Sequence, residues 1–181
     1  MQANKYIYAL VMTVILATWF SRFRLPQSPR SSVVDQEPSR IVSNIADAGV
    51  TVSVYRPGGK CNIEFINGTL LDNNPYSVSR KGGLILTGWA LDEAKETLPN
   101  SVLIRFSDID SAKEFFAKAQ IGIKRPDVQT HFKLSTSLLA SGFRLITYLQ
   151  DIPPGEYDIT LLTVYLDGAY ICGNGRKINV R

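Results

Sequence analysis

Hydrophobic and polar residues alternate with a period of two from Val50 onward, which is the pattern of strands that bury one face. The clearest runs are Val50–Tyr55, Cys61–Phe65 and Val102–Phe106, and turn-forming stretches such as RPGGK and LDNNPY separate them. The pattern gives seven or eight short strands and no alternation of strands with helices. It predicts an all-β domain at residues 49–181, an antiparallel β-sandwich of immunoglobulin-like size.

The segment TLLTVYLDGAYICG predicts a hairpin with Asp167-Gly168 as its turn, because Asp-Gly suits the positive φ angles of a two-residue type I′ turn. In that register Tyr165 lies opposite Tyr170, on the same face as Cys172. Leu166 would lie on the other face, which the apolar residues of the hairpin mark as the core.

One stretch inside this domain favours a helix. Residues 107–120, SDIDSAKEFFAKAQ, contain several good helix formers, with Ser107, Asp108 or Ser111 as a candidate cap. The expectation there is a helix of one or two turns.

The stretch GIKRPDVQTHFK, residues 122–133, contains the only histidine of the chain, His131. Pro126 suits the first position of a short helical turn, and Asp127 would then lie among the exposed N–H groups of that turn. Arg125 is expected to pair with a carboxylate and hold the loop in place. The core contacts of this structural turn are predicted from two apolar residues four positions apart, Val128 and Phe132.

A hydrolase site in this region would use His131 as its base, with Asp127 or Asp151 to orient it. The nucleophile would be one of the serines that follow: Ser135, Ser137 or Ser141. The sequence has no G-x-S-x-G elbow, no phosphate-binding loop and no dinucleotide fingerprint to support such chemistry. We therefore predict no catalytic residue and no cofactor, and we place His131 on the surface.

The two cysteines, Cys61 and Cys172, lie more than a hundred residues apart. A disulfide between them in an oxidising compartment would stabilise the fold by a few kcal/mol. Cys61 falls on the apolar face of its strand and Cys172 on the tyrosine-bearing face, so the pattern leaves the pairing open. Two distant cysteines and one histidine do not form a metal-ligand set, and no metal site is predicted.

The N-terminal segment Tyr6–Phe20 has no charged residue, and basic residues flank it. As a helix these 15 residues would span about 22 Å, short of a ~30 Å hydrocarbon core but compatible with a short crossing. A single transmembrane anchor at residues 1–24 is the leading prediction, with a cleaved signal peptide or a buried helix as alternatives. The apolar run lacks the small residues of a signal-peptide cleavage site.

Residues 25–48 are rich in proline and serine, which is typical of a flexible linker between anchor and domain. Five of the 20 basic residues and two of the 16 acidic residues precede residue 41, so 15 basic and 14 acidic residues remain from Ile41 onward. The net charge of +4 thus comes mainly from the N-terminal region. A nearly neutral domain lacks the basic face that a nucleic-acid partner requires, and we predict none.

Four motifs in the second half of the chain form an ordered set. They are LTGWALDE (Leu86–Glu93), KRPDV (Lys124–Val128), SGFRL (Ser141–Leu145) and PPGEYDITLLTVYLDG (Pro153–Gly168). This set resembles small β-sandwich modules attached to bacterial membrane proteins of envelope polysaccharide synthesis, membrane glycosyltransferases among them, and to uncharacterised exported proteins. The resemblance implies a non-catalytic accessory or binding module on the outer side of the cytoplasmic membrane.

Two functional classes remain open. In the first, the anchored domain binds a polysaccharide or another envelope protein, and aromatic rings form the platform: Trp89, Tyr148, Tyr165 and Tyr170. Core packing is the alternative role for Trp89. In the second, the domain is a scaffold that joins another envelope protein through a sheet edge or an apolar patch.

Overall fold

A computed structural model describes residues 36–51, 54–71 and 75–181 of the chain. The predicted anchor at residues 1–24 lies outside these residues. Within the described ranges, no helix has the length and apolar character needed to span a bilayer.

The described residues form strands with two short 3-10 helices (Ile45–Ala48 and Thr136–Leu138) and one α-helix, α1 (Pro126–Phe132). In chain order the strands are β1 (Ile41–Val42), β2 (Tyr55–Pro57), β3 (Lys60–Ile66), β4 (Thr69–Leu70), β5 (Tyr76–Val78), β6 (Gly83–Leu91), β7 (Ser101–Asp108), β8 (Glu114–Ile123), β9 (Gly142–Tyr148), β10 (Gly155–Tyr165) and β11 (Gly168–Val180). The prediction of an all-β domain is confirmed.

The strands belong to one continuous sheet with the order β2-β11-β10-β7-β8-β9-β6-β3-β4. Strand β8 joins its two halves, since its first part pairs with β7 and its last part with β9. The prediction of a wholly antiparallel arrangement is wrong in two places, where β2 and β5 pair in parallel with β11. Such pairs are feasible because a long stretch of chain separates their strands. The immunoglobulin-like sandwich remains a prediction.

A disulfide between Cys61 and Cys172 joins β3 to β11 with a Cα–Cα distance of 6.1 Å. These strands are eighth and second of the nine in the sheet order, so the sheet curls until they meet. The main core fills the inside of this curl and includes Leu84, Leu145 and Leu161. The sequence pattern left open whether the two cysteines pair, and the structure shows the disulfide.

The turn between β10 and β11 begins one residue earlier than predicted, so each residue of β10 pairs two residues away from its predicted partner. Tyr165 pairs with Gly168, so the turn is Leu166-Asp167. Gly168 follows the turn with φ 149°, and neither turn residue has a positive φ. The shift places Leu166 in the turn, where it is 97% exposed, while Tyr165 lies on the same face of β10 as the core residue Leu161 and is buried (8% exposed). Both predicted positions are therefore wrong.

The helix predicted at residues 107–120 is also wrong. Strand β8 begins at Glu114, and its first six residues, 114–119, pair with β7. Asp108 forms the preceding turn, in which its carboxylate accepts hydrogen bonds from the backbone N–H groups of Asp110 and Ser111. Phe116 and Ala117, adjacent in sequence, are buried in two different clusters on opposite faces of the strand. Burial on both faces overrides the local helix preference.

The linker predicted at residues 25–48 is wrong for its second half. Residues 36–48 belong to the compact unit Gln36–Arg181. Ile41 lies in the core, and β1 pairs with β8. Ser39 donates its backbone N–H to the carbonyl of Ile146 and accepts a hydrogen bond from the Thr147 hydroxyl. Residues 25–35 lie outside the described part of the chain.

Candidate functional site

A groove of about 510 Å³ opens on the outer face of the sheet, between β3, β6 and α1. Outer here means the face opposite the main core, because Leu84 and Leu86 of β6 point inward while Trp89 belongs to a separate cluster. The lining residues of the groove combine aromatic rings with polar groups: Asn62, Glu64, Trp89, Asp127, His131 and Phe132.

Helix α1 forms one wall of the groove, and it has the features predicted for the structural turn. Pro126 occupies its first turn, where its missing N–H group is not needed, and Asp127 follows in the same turn. Val128 is buried and Phe132 packs in the same cluster, with Trp89 and Leu91. The turn is a helix, and these two apolar residues attach it to the domain.

Gly142 of β9 lets the start of α1 approach the sheet. A Cβ atom at this position would lie 2.7 Å from the Ile123 carbonyl oxygen and 2.8 Å from Cγ of Arg125. The stem of Arg125 therefore rests directly on the backbone of β9, next to Trp89, which pairs with Gly142 across the strands. This contact fixes the direction in which the guanidinium group points.

The Arg125 guanidinium group connects two carboxylates. It forms an ion pair with Glu64 at 2.8 Å between Nη1 and Oε2, and its Nε donates to Oδ1 of Asp127 at 2.8 Å. The Trp89 indole donates from Nε1 to the Glu64 carboxylate at 3.1 Å. The side chains of Arg125 and Glu64 are only 17% and 18% exposed, so the network is a fixed element of the groove wall.

Hydrogen bonding within this network changes proton affinities. The bond from Arg125 lowers the pKa of Asp127 to about 2, from an ordinary value of 3.8. The bond to Asp127 likewise raises the pKa of Arg125, despite partial burial. Asp127 is therefore an anion at any pH near neutrality, and it offers the groove a hydrogen-bond acceptor.

We expect Asp127→Asn to lower the free energy of unfolding at pH 7 by less than about 1 kcal/mol, because the carboxylate is largely exposed and solvent screens its ion pair. A carboxyl group whose pKa is lower in the folded than in the unfolded chain stabilises the fold at pH values above its pKa in the unfolded chain. This contribution is lost as the pH falls from about 4 to about 2. Urea unfolding of both proteins at pH 7 and pH 2 measures the effect. An equal difference at both pH values would contradict the ionic origin.

The aromatic side chains of the groove are mostly covered. Trp89 is 8% exposed, and its ring meets that of Phe132 edge-on at 5.2 Å between centroids. The ring of Phe132 also contacts His131 at 4.7 Å, and the Lys60 ammonium group lies 5.2 Å from its centre. Trp89 is therefore packed in a buried cluster, and only an edge of its ring is accessible from the groove. His131 and Phe132 provide the accessible ring surface.

The four aromatic residues proposed from the sequence do not form one platform. Trp89 and Tyr148 lie at opposite ends of the β6–β9 pair, six residues or about 20 Å apart. Tyr165 is buried, and this burial raises its pKa to about 12. The ring of Tyr170 packs against Tyr165 and under the Lys95 ammonium group. Tyr148 is half-exposed and separate from the groove.

The serines considered as nucleophiles do not join His131 in a triad. Ser135 and Ser137 hydrogen-bond each other at 2.5 Å, and Ser141 is buried. Asp127 is held by Arg125, and His131 lies on the exposed side of α1 in contact with Phe132. Across residues 36–51, 54–71 and 75–181, no cluster of histidine, cysteine and acidic side chains has the arrangement of a metal site.

The sequence did not predict three lining residues of the groove. Asn62 and Glu64 were not singled out at all, and Phe132 was predicted only as a core contact. The signal for Asn62 and Glu64 was present, because both are the polar members of the alternating run Cys61–Phe65 and therefore point away from the core. Their closeness to α1 comes from the β3–β6 pairing, in which Asn62 lies opposite Trp89. No local pattern encodes that pairing.

The groove can accept and donate several hydrogen bonds beside a ring surface. Asp127 and Glu64 supply carboxylate oxygens, Asn62 supplies a side-chain amide, and His131 supplies an imidazole. Comparisons with models of protein families, with curated proteins and with solved structures find no match to this chain.

Proposed function

We propose that this chain is a non-catalytic binding module of the bacterial envelope, anchored in the cytoplasmic membrane through residues 6–20, with its β-domain on the outer side. The ligand is a saccharide, held in the groove between β3, β6 and α1. The observation that carries the proposal is the combination of ring surface and preorganised carboxylates in one open groove of about 510 Å³. The order of motifs from Leu86 to Gly168 supports the assignment to the envelope.

Saccharides suit this arrangement for chemical reasons. A sugar ring has apolar C–H faces that pack on aromatic side chains. Two neighbouring hydroxyl groups of the ring can hydrogen-bond together to one carboxylate or amide group. His131 and Phe132 present rings at the rim, and Asp127 presents acceptor atoms beside them. Because Arg125 already fixes Asp127, binding does not require this side chain to lose further conformational freedom.

The carboxylates of the groove favour binding over glycoside hydrolysis. A glycosidase needs one carboxyl group with a raised pKa to protonate the leaving oxygen. Asp127 has a lowered pKa of about 2 and is ionised. Glu64 accepts hydrogen bonds from Trp89 and Arg125, so its oxygen atoms already have partners within the groove wall. Asp127 is therefore not suited to donate a proton to a leaving group.

The test is binding of bacterial envelope polysaccharide fragments to the full chain in detergent, first on an array and then by calorimetry. We expect Asp127→Asn and Phe132→Ala each to weaken binding about tenfold, because each removes a charge-assisted hydrogen bond or a ring contact. Tyr148→Ala is the matched control, since this exposed aromatic residue lies far from the groove. Flat array signals, or equal losses in all three variants, would overturn the saccharide assignment.

A second candidate function is that of a scaffold for another envelope protein, and one observation favours it. Leu166 is 97% exposed at the tip of the β10–β11 hairpin. Beside it an apolar groove of about 560 Å³ is lined by Leu98 and Tyr165 among others. A protein partner seated there would lose affinity with Leu166→Ser, whereas saccharide binding by the same variant would remain unchanged.

A further inference from the structure

A second apolar surface lies on the outer face of the sheet, away from α1. The pairings Leu70–Phe65 and Phe65–Thr87 place one row of residues across β4, β3 and β6. The next rows along β6 and β9 are Ile85 opposite Ile146 and Gly83 opposite Tyr148. Directly opposed side chains lie ~5 Å apart, so these rows are continuous. We call the set Phe65, Leu70, Ile85, Ile146 and Tyr148 the apolar face.

The residues of the apolar face are exposed to a degree that core residues of this domain are not. Leu70 is 67%, Tyr148 50% and Phe65 40% exposed. Ile85 and Ile146 are partly exposed, although their neighbours Leu84, Leu86 and Leu145 are fully buried on the opposite side. No described residue covers this surface in the way that α1 covers Trp89. A contiguous apolar patch of this kind marks an interaction site.

The described chain begins beside this face. Ser39 donates its backbone N–H to the Ile146 carbonyl, so the segment from Gln36 enters the domain along the open edge of β9. Between Phe20, the last residue of the apolar N-terminal segment, and Gln36 there are 15 residues, which reach at most ~50 Å. The described chain therefore enters the domain at the edge of the apolar face, within reach of the proposed anchor.

The charges at this face are basic. Arg144 lies in the row of Phe65 and Thr87 and makes no ion pair with any residue that the structure describes. Lys81 is exposed in the turn next to Gly83 and is likewise outside every described ion pair. Cations that surround exposed apolar and aromatic side chains complement the phosphate groups and acyl boundary of an anionic lipid surface.

From these observations we propose that the apolar face rests on the membrane surface, with Phe65, Leu70 and Tyr148 in the headgroup region and Arg144 against lipid phosphate. The proposal rests on the membrane anchor of the proposed function and does not depend on the saccharide groove. Because α1 stands on the same outer face, the groove opens at the margin of this contact. A ligand in it is then held close to the lipid surface.

The test uses the fragment Gln36–Arg181, which contains every described strand and the disulfide in one compact unit. It is floated with vesicles of phosphatidylcholine, with and without phosphatidylglycerol. We expect binding that requires phosphatidylglycerol and falls at least about tenfold in the triple variant Phe65→Ser/Leu70→Ser/Tyr148→Ser, because three apolar side chains leave the interface. The matched control is Leu166→Ser, which removes an even more exposed leucine from the hairpin tip.

Each other outcome counts against the proposal. Fragment that stays in solution with both vesicles, or an equal loss with Leu166→Ser, would overturn it. Self-association that the triple variant abolishes would assign the face to a second copy of the chain instead. The variant residues are exposed, and circular dichroism checks that the variant folds. If folding fails, Arg144→Gln replaces the triple variant. We then expect a severalfold loss of binding to phosphatidylglycerol vesicles and no change in saccharide binding.

The anchor and the groove are measured separately. Flotation of the full chain carrying the triple substitution reports on residues 6–20 alone, and we expect it to remain with the vesicles. Saccharide binding by Phe132→Ala reports on the groove. Failure of either assay leaves the fragment experiment interpretable, since the fragment lacks the anchor and needs no saccharide.

Discussion

Replacing both cysteines, Cys61→Ala and Cys172→Ala, should lower the free energy of unfolding by about 4 kcal/mol. The disulfide closes a loop with a sequence separation of 111 residues, so its loss restores a large amount of conformational freedom to the unfolded chain. It also joins β3 to β11, which otherwise meet only because the sheet curls. For a domain of this size we expect a fall in melting temperature of roughly 8–16 °C, measured by calorimetry or urea unfolding without reductant.

A reductant provides the control for this prediction. Wild-type protein unfolded with dithiothreitol should approach the stability of the double variant, and the double variant should not respond to dithiothreitol. The two sulfur atoms lie beside the core, so a small packing loss from the alanine substitutions adds to the effect. A double variant as stable as oxidised wild type would mean that the loop is already constrained in the unfolded chain.

Arg125→Met should cost about 3 kcal/mol, the second largest effect that we expect. The substitution keeps much of the side-chain stem against Gly142 but leaves the Glu64 carboxylate without its cation. An uncompensated charge that is largely buried destabilises a fold by several kcal/mol, and the partial exposure of this pair favours the lower end of that range. The measurement is urea unfolding at pH 7 of the variant and wild type.

A double-mutant cycle with Glu64→Gln separates the ion pair from other effects. The double variant Arg125→Met/Glu64→Gln should be more stable than the sum of the single losses predicts, by about 2 kcal/mol, because neither partner is then left charged and unpaired. Arg125→Lys keeps the charge but loses the planar fork that contacts Glu64 and Asp127 together, and it should cost about 1 kcal/mol. Additive losses in the cycle would mean that Arg125 acts through packing alone.

The part of the fold that the sequence predicts well is the part determined by local patterns. The alternating run that begins at Cys61 identifies β3, because one buried face is enough to impose a period of two. Pro126 and Asp127 identify the start of α1 for an equally local reason, the chemistry of the first helical turn. Neither inference requires knowledge of what the segment packs against.

The failures occur where distant contacts override local preference. The segment around Phe116 has the composition of a helix, yet pairing on both edges and burial on both faces make it a strand. In the hairpin, the sheet buries the ring of Tyr165 and exposes Leu166, which a turn signal alone cannot determine. The linker boundary fails in the same way, since the short strand β1 is stable only because β8 lies beside it.

The candidate site combines residues that local patterns identify with one residue that they do not. The sequence singled out four residues for separate reasons, and the structure brings them to one groove: Trp89, Arg125, Asp127 and His131. Glu64, which holds Trp89 and Arg125 together, is an ordinary polar position of a strand when it is read alone. A residue whose importance comes from two partners 25 and 61 positions away has no local signature.

The position of β11 in the sheet has a consequence for the order of events during synthesis. This last strand pairs with β10 but also with β2 and β5, and it carries the cysteine that closes the curl. At a translation rate of about 5–20 residues per second, Cys61 emerges roughly 6–22 s before Cys172, and its thiol waits unpaired during that interval. The sheet is therefore completed from its final strand, and a chain interrupted before β11 would expose both its unpaired strand edges and a reactive thiol.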